Sequence, residues 1–197
     1  MTSARANPFP QTVEVGGRTY MLRLMNPADG GRILAFARSL PVHDLLFLRR
    51  DITRPEEVEL WMDEIERGNT QTILALLGDE LVGYSSVARN TLNWMRHVAE
   101  LRVLVAEAHR RGGLGRVLTT AAFRLAVDMG VEKMLAQMTV DQEGAIGVFY
   151  RLGFEEEARL RAHVKDRDGK TYDIVLLSQD VSEYQAARQQ REGTSPA

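Results

Sequence analysis

Hydrophobic and polar residues follow two different periods along this chain of 197 residues. Short apolar runs bounded by glycine or polar turns predict β-strands, and apolar residues spaced three or four apart predict amphipathic helices. Turn residues such as Gly16-Gly17 and Gly78-Asp79-Glu80 predict hairpins between neighbouring strands. Eight segments follow the strand pattern: Thr12–Val15, Arg18–Leu24, Thr72–Leu77, Leu81–Ala88, His97–Val105, Met134–Val140, Glu157–Lys165 and Thr171–Leu177.

Helical patterns lie between these strands and give the chain an alternating α/β order. Asn26-Pro27 is typical of a helix start, with asparagine as the cap and proline in the first turn. Thr53 and Glu56 have the spacing of a capping box before a second helix. The expected helices are Pro27 to about Leu40, a helix after Thr53, Leu114 to Met129 with Gly130 as its C-terminal cap, and Glu143 to about Leu152.

These elements occupy residues 11–181, which we interpret as one domain. Residues 1–10 are expected to be disordered. Residues 182–197 are expected to form a polar C-terminal tail that begins as a helix and frays. The sequence contains no internal repeat or sign of a second domain, and its length allows a sizeable core.

Composition excludes several classes of protein. The hydrophobic fraction of 44% and the charged fraction of 26% are globular averages. A net charge of −2 argues against a nucleic-acid partner, and the lack of cysteine excludes a disulfide framework and a thiol nucleophile. No apolar run approaches the ~18 residues of a membrane span, and the first residues lack an export signal. We therefore expect no membrane partner and a cytoplasmic location.

The run from Arg110 to Arg116, with sequence RRGGLGR, carries the clearest chemical signal. It follows the apolar strand ending at Val105 and opens the amphipathic helix after Gly113. The first N–H groups of a helix have no internal partner and attract anions, and glycines let the backbone approach such a ligand. The flanking arginines add positive charge. This pattern predicts a site for a phosphorylated cofactor.

Two familiar phosphate-binding motifs do not fit this run. A P-loop needs a lysine after its last glycine, and none lies near Gly115. A dinucleotide fingerprint needs glycine or alanine where this chain has Leu118, and an acidic residue in the following strand, which Met134–Val140 lacks.

A third motif, Arg/Gln-x-x-Gly-x-Gly/Ala, does fit, as Arg110-x-x-Gly113-x-Gly115. A second motif follows downstream, with sequence FYRLGF at residues 149–154. Over roughly residues 20–179 the chain resembles the GNAT superfamily of N-acetyltransferases. The resemblance implies the GNAT fold, a mixed central β-sheet with helices on both faces. It also implies acetyl-CoA as cosubstrate and direct attack by a primary amine without a covalent enzyme intermediate.

The resemblance assigns cofactor-binding residues to both motifs. In GNAT proteins the strand aligned with Leu101–Val105 splays from its neighbour, and the pantetheine arm of acetyl-CoA pairs with its backbone. Here that implicates Val103, Leu104 and Val105, with the Leu104 N–H as an oxyanion donor. Gln142 stands where the family often has an asparagine that contacts pantetheine. From the second motif, Phe149 is expected to contact the cofactor. The pyrophosphate would bind the turn formed by Arg110, Arg111, Gly112, Gly113, Leu114, Gly115 and Arg116.

Glu100 is our candidate general base, because GNAT proteins often carry a carboxylate just before the splayed strand segment. It would take the proton that a lysine-like amine holds at neutral pH. An ion pair with Arg102 on the same strand face is the competing interpretation. His97 could share the task.

The general acid is where the chain departs from the family pattern. GNAT enzymes commonly place a tyrosine four residues before the glycine of the Gly-Phe pair, and this chain has Phe149 there. Tyr150 follows, rotated by about 100° around the helix. Tyr150 is the candidate proton donor to the CoA thiolate, with an exposed or packing tyrosine as the alternative. Without it, water or the attacking ammonium could supply the proton.

The acceptor is expected between two polar segments, residues 41–54 and residues 161–171. Their mixed charges suit a polar amine, and the residues around Leu45–Asp51 resemble bacterial protein-lysine acetyltransferases. We therefore place a protein lysine or N-terminal amine slightly ahead of antibiotics, polyamines and amino acids. A catalytically weak acyl-CoA sensor is the alternative that Phe149 favours. The resemblance is also compatible with a homodimer.

Overall fold

The computed structural model describes residues 8–45, 48–90, 92–166 and 168–186, and its centre is an eight-stranded sheet. The spatial order of the strands is β1-β2-β3-β4-β5-β6-β8-β7. Only β5 and β6 run parallel, so the sheet is mixed as expected. The strands are β1 (Gln11–Val15), β2 (Arg18–Leu24), β3 (Thr70–Leu77), β4 (Glu80–Arg89), β5 (Val98–Val105), β6 (Lys133–Thr139), β7 (Glu155–Lys165) and β8 (Thr171–Asp180).

All eight expected strands are confirmed, with bounds shifted by no more than three residues. The four expected helices are also present. A fifth, α2, has only four residues, which is too short for an apolar period to reveal. The helices are α1 (Gly30–Ser39), α2 (Val42–Leu45), α3 (Pro55–Glu66), α4 (Leu114–Asp128) and α5 (Glu143–Arg151), with 3₁₀ turns at Pro27–Asp29, Asn93–Met95 and Glu107–His109.

One of the two expected helix starts is confirmed and the other is wrong. Asn26 caps the 3₁₀ turn before α1, and the Asn26 N–H donates to Asp29 Oδ2 at 3.0 Å. The capping box at Thr53 does not form, because Arg54 is the residue that precedes α3. The Thr53 hydroxyl instead donates to Asp51 Oδ1 at 2.5 Å.

Helices cover both faces of the sheet. One apolar core lies beneath α4, where Leu118, Ala122 and Phe123 are fully buried. A second core lies beneath α1 and α3 and contains Ile33 and Trp61. The central strands β3 and β4 are buried on both faces, which explains why they read as nearly continuous apolar runs.

Both ends of the described chain contact the domain core. Phe9 is buried in the α4 core, although residues 1–10 were expected to be disordered. Residues 181–186 are helical, and the Tyr184 ring stacks on Phe123 at a centroid distance of 3.9 Å. Residues 1–7 and 187–197 lie outside the described residues. Within the described ranges, no helix has the length and apolarity needed to cross a bilayer.

Candidate active site

Strands β5 and β6 separate partway along their length. They pair only at Val98–Glu100 with Lys133–Leu135. On its other side β5 stays paired with β4 as far as Val105. Backbone groups of β5 after Glu100 that face β6 therefore lack a strand partner. We call this opening the β5–β6 gap.

The strand register decides which backbone groups face the gap. The Ala106 N–H donates to Val82 O at 2.9 Å, so even-numbered residues of β5 direct their backbone groups toward β4. Val103 and Val105 then direct theirs toward the gap, and Leu104 does not. The expectation that the Leu104 N–H is the oxyanion donor is therefore wrong, because alternation turns that group to the opposite side.

A buried hydroxyl also lies on the β6 side of the gap. Thr139 Oγ1 is buried and has no hydrogen-bond partner in the described part of the chain. Continuing the register places Thr139 level with Leu104, where the two strands have separated. Such an unpaired polar atom and the free strand edge of β5 fit the amide-containing pantetheine arm of a CoA ester.

The glycine turn ends β5 and opens α4. Gly113 has φ +98°, and α4 starts at Leu114 without a side-chain cap on its first N–H groups. A Cβ on Gly113 would lie 2.9 Å from Val15 Cγ2, so only glycine fits against the β1–β2 hairpin. Uncapped N–H groups at a helix start suit a pyrophosphate.

The same hairpin supports the turn from a second direction. A Cβ on Gly16 would lie 3.1 Å from Gly112 Cα. Arg18 Nη1 and the Tyr20 hydroxyl each lie 3.1 Å from His109 Nδ1, and burial followed by the Arg18 charge lowers the pKa of His109. Sequence reasoning missed this support, because its only sequence signal was the Gly16-Gly17 pair, which also fits an ordinary turn.

The three arginines of the turn differ in their contacts. The Arg110 guanidinium pairs with Asp44 of α2 and donates through Nε to Val105 O at 2.9 Å. Arg111 and Arg116 are exposed and have no side-chain partner among the described residues. Arg110 therefore links α2 to the end of β5, whereas Arg111 and Arg116 are available to an anion.

Helix α2 bridges the two sides of the gap. Asp44 contacts Arg110 beyond β5, and His43 Nε2 lies 3.3 Å from Asp141 Oδ2, just after β6. The His43 ring also lies 6.2 Å from the Tyr172 ring of β8. The segment expected to line the acceptor site thus lies across the end of the gap.

Glu100 lies where the gap opens, and its carboxylate is paired with Arg102. Both side chains are about one-quarter exposed, so the ion pair is accessible from the pocket that they line. His97 is exposed and three residues earlier, which places it on the opposite face and about 10 Å away. The geometry therefore supports Glu100 and not His97 as a base.

The pocket beside Glu100 has a cavity volume of about 50 Å³ and is partly open to solvent. Its walls come from the segment before α3, from α3 and from strands β3, β4 and β5. None of the described residues of 161–171 lines it, and among the described residues the first of the two expected acceptor segments contributes. The lining residues are Leu48, Arg49, Arg50, Ile52, Trp61, Glu64, Thr70, Tyr84, Ser86, Ala88, Glu100 and Arg102.

Helix α5 directs its two aromatic residues in different directions. Phe149 is buried, with its ring 4.8 Å from that of Phe154. Tyr150 is 44% exposed and donates to Glu156 Oε2 at 3.1 Å, a bond that raises the pKa of Tyr150. Glu156 lies on the edge strand β7, and β8 separates β7 from β6. These contacts do not support Tyr150 as the general acid or Phe149 as a cofactor contact.

Gln142 precedes α5 at the end of β6. Its backbone N–H donates to Thr139 O at 3.0 Å, and its half-buried side chain does not cap the helix. Gln142 therefore lies one turn after Thr139, at the β6 side of the gap. This position agrees with a role beside the pantetheine arm.

A sheet that splays at a parallel pair and ends in a glycine turn opening a helix defines an acetyltransferase-class fold. A family model described as Acetyltransferase (GNAT) family matches residues 42–154, more than half of the chain. The chain belongs to this family. GNAT acetyltransferases use acetyl-CoA.

Individual relatives agree with the family assignment. YwnH of Bacillus subtilis (strain 168), described as a phosphinothricin acetyltransferase, is 30% identical over 84 residues. That match covers 43% of this chain and 51% of YwnH, so it spans about half of the relative's length.

Solved structures share the fold. The yncA acetyltransferase of Salmonella typhimurium, in complex with acetyl-CoA, has a TM-score of 0.73 at 20% identity, covering 82% of this chain and 94% of that one. Spermidine N-acetyltransferase from Vibrio cholerae, in complex with CoA and spermine, has a TM-score of 0.70 at 18% identity, covering 84% and 97%.

Proposed function

We propose that this protein is an N-acetyltransferase that transfers the acetyl group of acetyl-CoA to a primary amine. The observation that carries the proposal is the β5–β6 gap, which leads from the pocket at Glu100 to the glycine turn at Gly113. A gap with a free strand edge suits an extended amide-containing arm, and an uncapped helix start suits a pyrophosphate.

The chain's own residues have separable roles in this proposal. The backbone groups of Val103 and Val105 hold the pantetheine arm, and the amides of residues 111–116 hold the pyrophosphate. Arg111 and Arg116 add charge. Acetyl-CoA, when bound, supplies the activated acetyl group. A backbone N–H facing the gap, that of Val103 or Val105, polarises the thioester carbonyl.

Glu100 removes the proton from the incoming ammonium, directly or through water. A free amine with a pKa of about 10 is almost fully protonated at neutral pH, so attack requires this step. Arg102 holds the carboxylate in place between turnovers. After the neutral amine attacks, its nitrogen loses a second proton as the C–S bond breaks, and the CoA thiolate takes this proton directly or through water, since Phe149 has no proton to give.

Small amines are the acceptors that the pocket favours. The sequence alone gave a slight preference to protein lysine or an N-terminal amine. Against that preference, the Glu100 pocket combines apolar walls from Leu48, Ile52 and Trp61 with a few charged side chains, a lining typical of small-molecule sites. YwnH and the Vibrio cholerae enzyme, described for phosphinothricin and spermidine, are consistent with a small acceptor.

A catalytically weak acyl-CoA-binding protein is the second candidate. It is favoured by the contacts of Phe149 and Tyr150, which leave no tyrosine hydroxyl of α5 at the gap. Labelled acetyl-CoA, incubated with the protein, a desalted extract and a panel of amines, separates the two candidates. Label in protein or small-molecule fractions above a no-enzyme control supports the transferase, and binding without label in either fraction supports the second candidate.

The base is tested with Glu100→Gln. We expect turnover to fall by about 100-fold, most strongly at low pH, with little change in acetyl-CoA affinity. The exposed Glu59→Gln is the matched control and should behave as wild type, because its side chain lies outside the pocket. Wild-type turnover by Glu100→Gln at every pH would remove Glu100 from the mechanism.

A further inference from the structure

The pocket beside Glu100 is lined by more positive than negative side chains. Three arginines and two glutamates line it: Arg49, Arg50, Arg102, Glu64 and Glu100. Leu48, Ile52 and Trp61 form its apolar walls. With no acceptor present, the pocket therefore carries a net positive charge at neutral pH.

Each of the two glutamates is already paired with an arginine. Arg50 Nη2 lies 2.7 Å from Glu64 Oε1, and the Thr70 hydroxyl donates to the other oxygen of Glu64 at 3.3 Å. Glu100 is paired with Arg102. Arg49 has no hydrogen bond or ion pair with any residue that the structure describes, and it is exposed to the pocket. The uncompensated charge of the pocket is thus carried by Arg49.

The hydroxyl of a largely buried tyrosine also lines this pocket. The Tyr84 side chain is 2% exposed, and its ring packs against those of Phe36 and Trp61 at centroid distances of 6.2 and 5.1 Å. Its hydroxyl has no hydrogen-bond partner in the described part of the chain. Burial raises the pKa of Tyr84 to about 12, so the hydroxyl keeps its proton. The hydroxyl oxygen is not itself fully buried, so a ligand or water in the pocket can accept its hydrogen bond.

We propose that the acceptor is a small amine that also carries a carboxylate, such as an amino acid, an inference that rests on the proposed acetyltransferase function. Arg49 binds the carboxylate, Tyr84 donates a hydrogen bond to the acceptor, and the amine faces Glu100. Arginine binds carboxylates through paired N–H donors, and this contact fixes the orientation of the amine toward the gap.

The same charges select against two other acceptor classes. A polyamine would place a second ammonium near Arg49, Arg50 or Arg102, with no glutamate of the pocket left unpaired to receive it. Like charges in a partly enclosed site repel strongly. A lysine side chain inserted from a protein surface would supply the amine and leave Arg49 and the Tyr84 hydroxyl without an anionic partner.

The test compares acceptors that differ only in the carboxylate. Steady-state rates are measured with acetyl-CoA for a panel of amino acids and for the amine formed by decarboxylating each one. We expect kcat/KM to be at least about 10-fold higher for the acid of the preferred pair, as for a hydrogen-bonded charge contact. Spermidine and a lysine-containing peptide complete the panel and should be poor acceptors.

Arg49→Gln assigns the effect to one residue. It should lower kcat/KM for the preferred amino acid by about 10- to 100-fold, mainly through KM, and leave the decarboxylated amine unchanged. Arg67→Gln is the matched control, because Arg67 is exposed at the end of α3 and does not line the pocket. It should change neither rate.

The outcomes separate this inference from the proposed function. If acetyl-CoA neither binds nor reacts with any amine, the proposed function itself fails. If acetyl-CoA is used and decarboxylated amines, spermidine or the peptide react as well as amino acids, the inference is wrong and the function stands. If acetyl-CoA binds without turnover, binding of amino acids to the complex of protein and acetyl-CoA is measured by calorimetry. Lack of amino-acid binding overturns the inference.

Discussion

Gly16 and Gly17 are neighbours in the β1–β2 turn and share a left-handed backbone, with φ of +61° and +72°. Only Gly16 touches the candidate pyrophosphate site. A Cβ on Gly16 would lie 3.1 Å from Gly112, whereas a Cβ on Gly17 would meet nothing within 4 Å. Gly16 and Gly17 therefore have the same backbone requirement and differ in one contact, which Gly16 makes with Gly112 of the glycine turn.

This difference gives a matched pair of variants. Gly16→Ala and Gly17→Ala should each lower stability by about 1 kcal/mol, because alanine is strained at positive φ. Gly16→Ala should in addition displace Gly112 and weaken acetyl-CoA binding by about 10-fold or more. Thermal melts and calorimetric titration measure the two effects. Equal acetyl-CoA affinity in both variants would mean that the hairpin does not position the turn.

Single residues show where sequence reasoning reaches its limit. Gly113 could be identified from its motif, because a fixed spacing of glycines between strand and helix carries a physical requirement. The side to which Leu104 turns depends on the register with β4, and the partner of Arg110 lies 66 residues away in α2. No local pattern encodes either fact. The direction of the Tyr150 hydroxyl is set in the same way, by a hydrogen bond to Glu156 on β7.

The start of α1 depends on one buried ion pair. Asp29 is fully buried and lies 2.5 and 2.6 Å from the two Nη atoms of Arg23 in β2, and it also accepts from the Asn26 N–H. Burial alone would raise the pKa of Asp29, but the hydrogen bonds from Arg23 and Asn26 outweigh it and hold the pKa below its usual value. Asp29 therefore anchors α1 to the sheet beneath it.

Asp29→Asn should lower the free energy of unfolding by about 2–3 kcal/mol at neutral pH, because it leaves the half-buried Arg23 without its carboxylate. A lowered pKa means that the folded state resists protonation of Asp29. This stabilisation is complete above the unfolded-state pKa of about 3.9 and is lost as the pH falls through the lowered pKa. Urea denaturation of wild type and variant at several pH values measures the difference.

The difference in unfolding free energy between wild type and Asp29→Asn should therefore decrease only at acidic pH. Asp79→Asn, in the exposed β3–β4 turn, is the control and should change stability by less than about 0.5 kcal/mol. A difference in unfolding free energy that stays constant from pH 7 to pH 2 would show that Asp29 stabilises α1 through packing and not through its charge.

Elements were easier to predict than their contacts. The strands and long helices follow apolar periods that a sequence displays directly. Helix α2 escaped prediction because four residues cannot display a period, yet it bridges the gap through Asp44 and His43. The capping box expected at Thr53 failed for a related reason. The Thr53 hydroxyl donates to Asp51, two residues earlier, and not to the start of α3.

At the scale of the whole molecule, the sheet has one weak seam. Strands β1–β5 and β6–β8 are joined along the sheet by only the short pairing of Val98–Glu100 with Lys133–Leu135. Beyond it, α4 packs over both halves through one apolar core, and α2 connects them through the Asp44–Arg110 and His43–Asp141 pairs. A ligand in the β5–β6 gap would contact both halves and so stabilise the fold as a whole.

Amide hydrogen exchange followed by NMR tests whether acetyl-CoA occupies that seam. In the free protein the Val103 and Val105 amides face the gap and should exchange quickly, whereas the Leu104 amide, turned toward β4, should be protected. Acetyl-CoA at about 100 times its Kd should slow the two valine amides by about 100-fold and leave Leu104 nearly unchanged. Fast exchange of Leu104 in the free protein would contradict the register. Unchanged exchange at Val103 and Val105 under saturating acetyl-CoA would show that the ligand binds outside the gap. The proposed site of acetyl transfer would then be wrong.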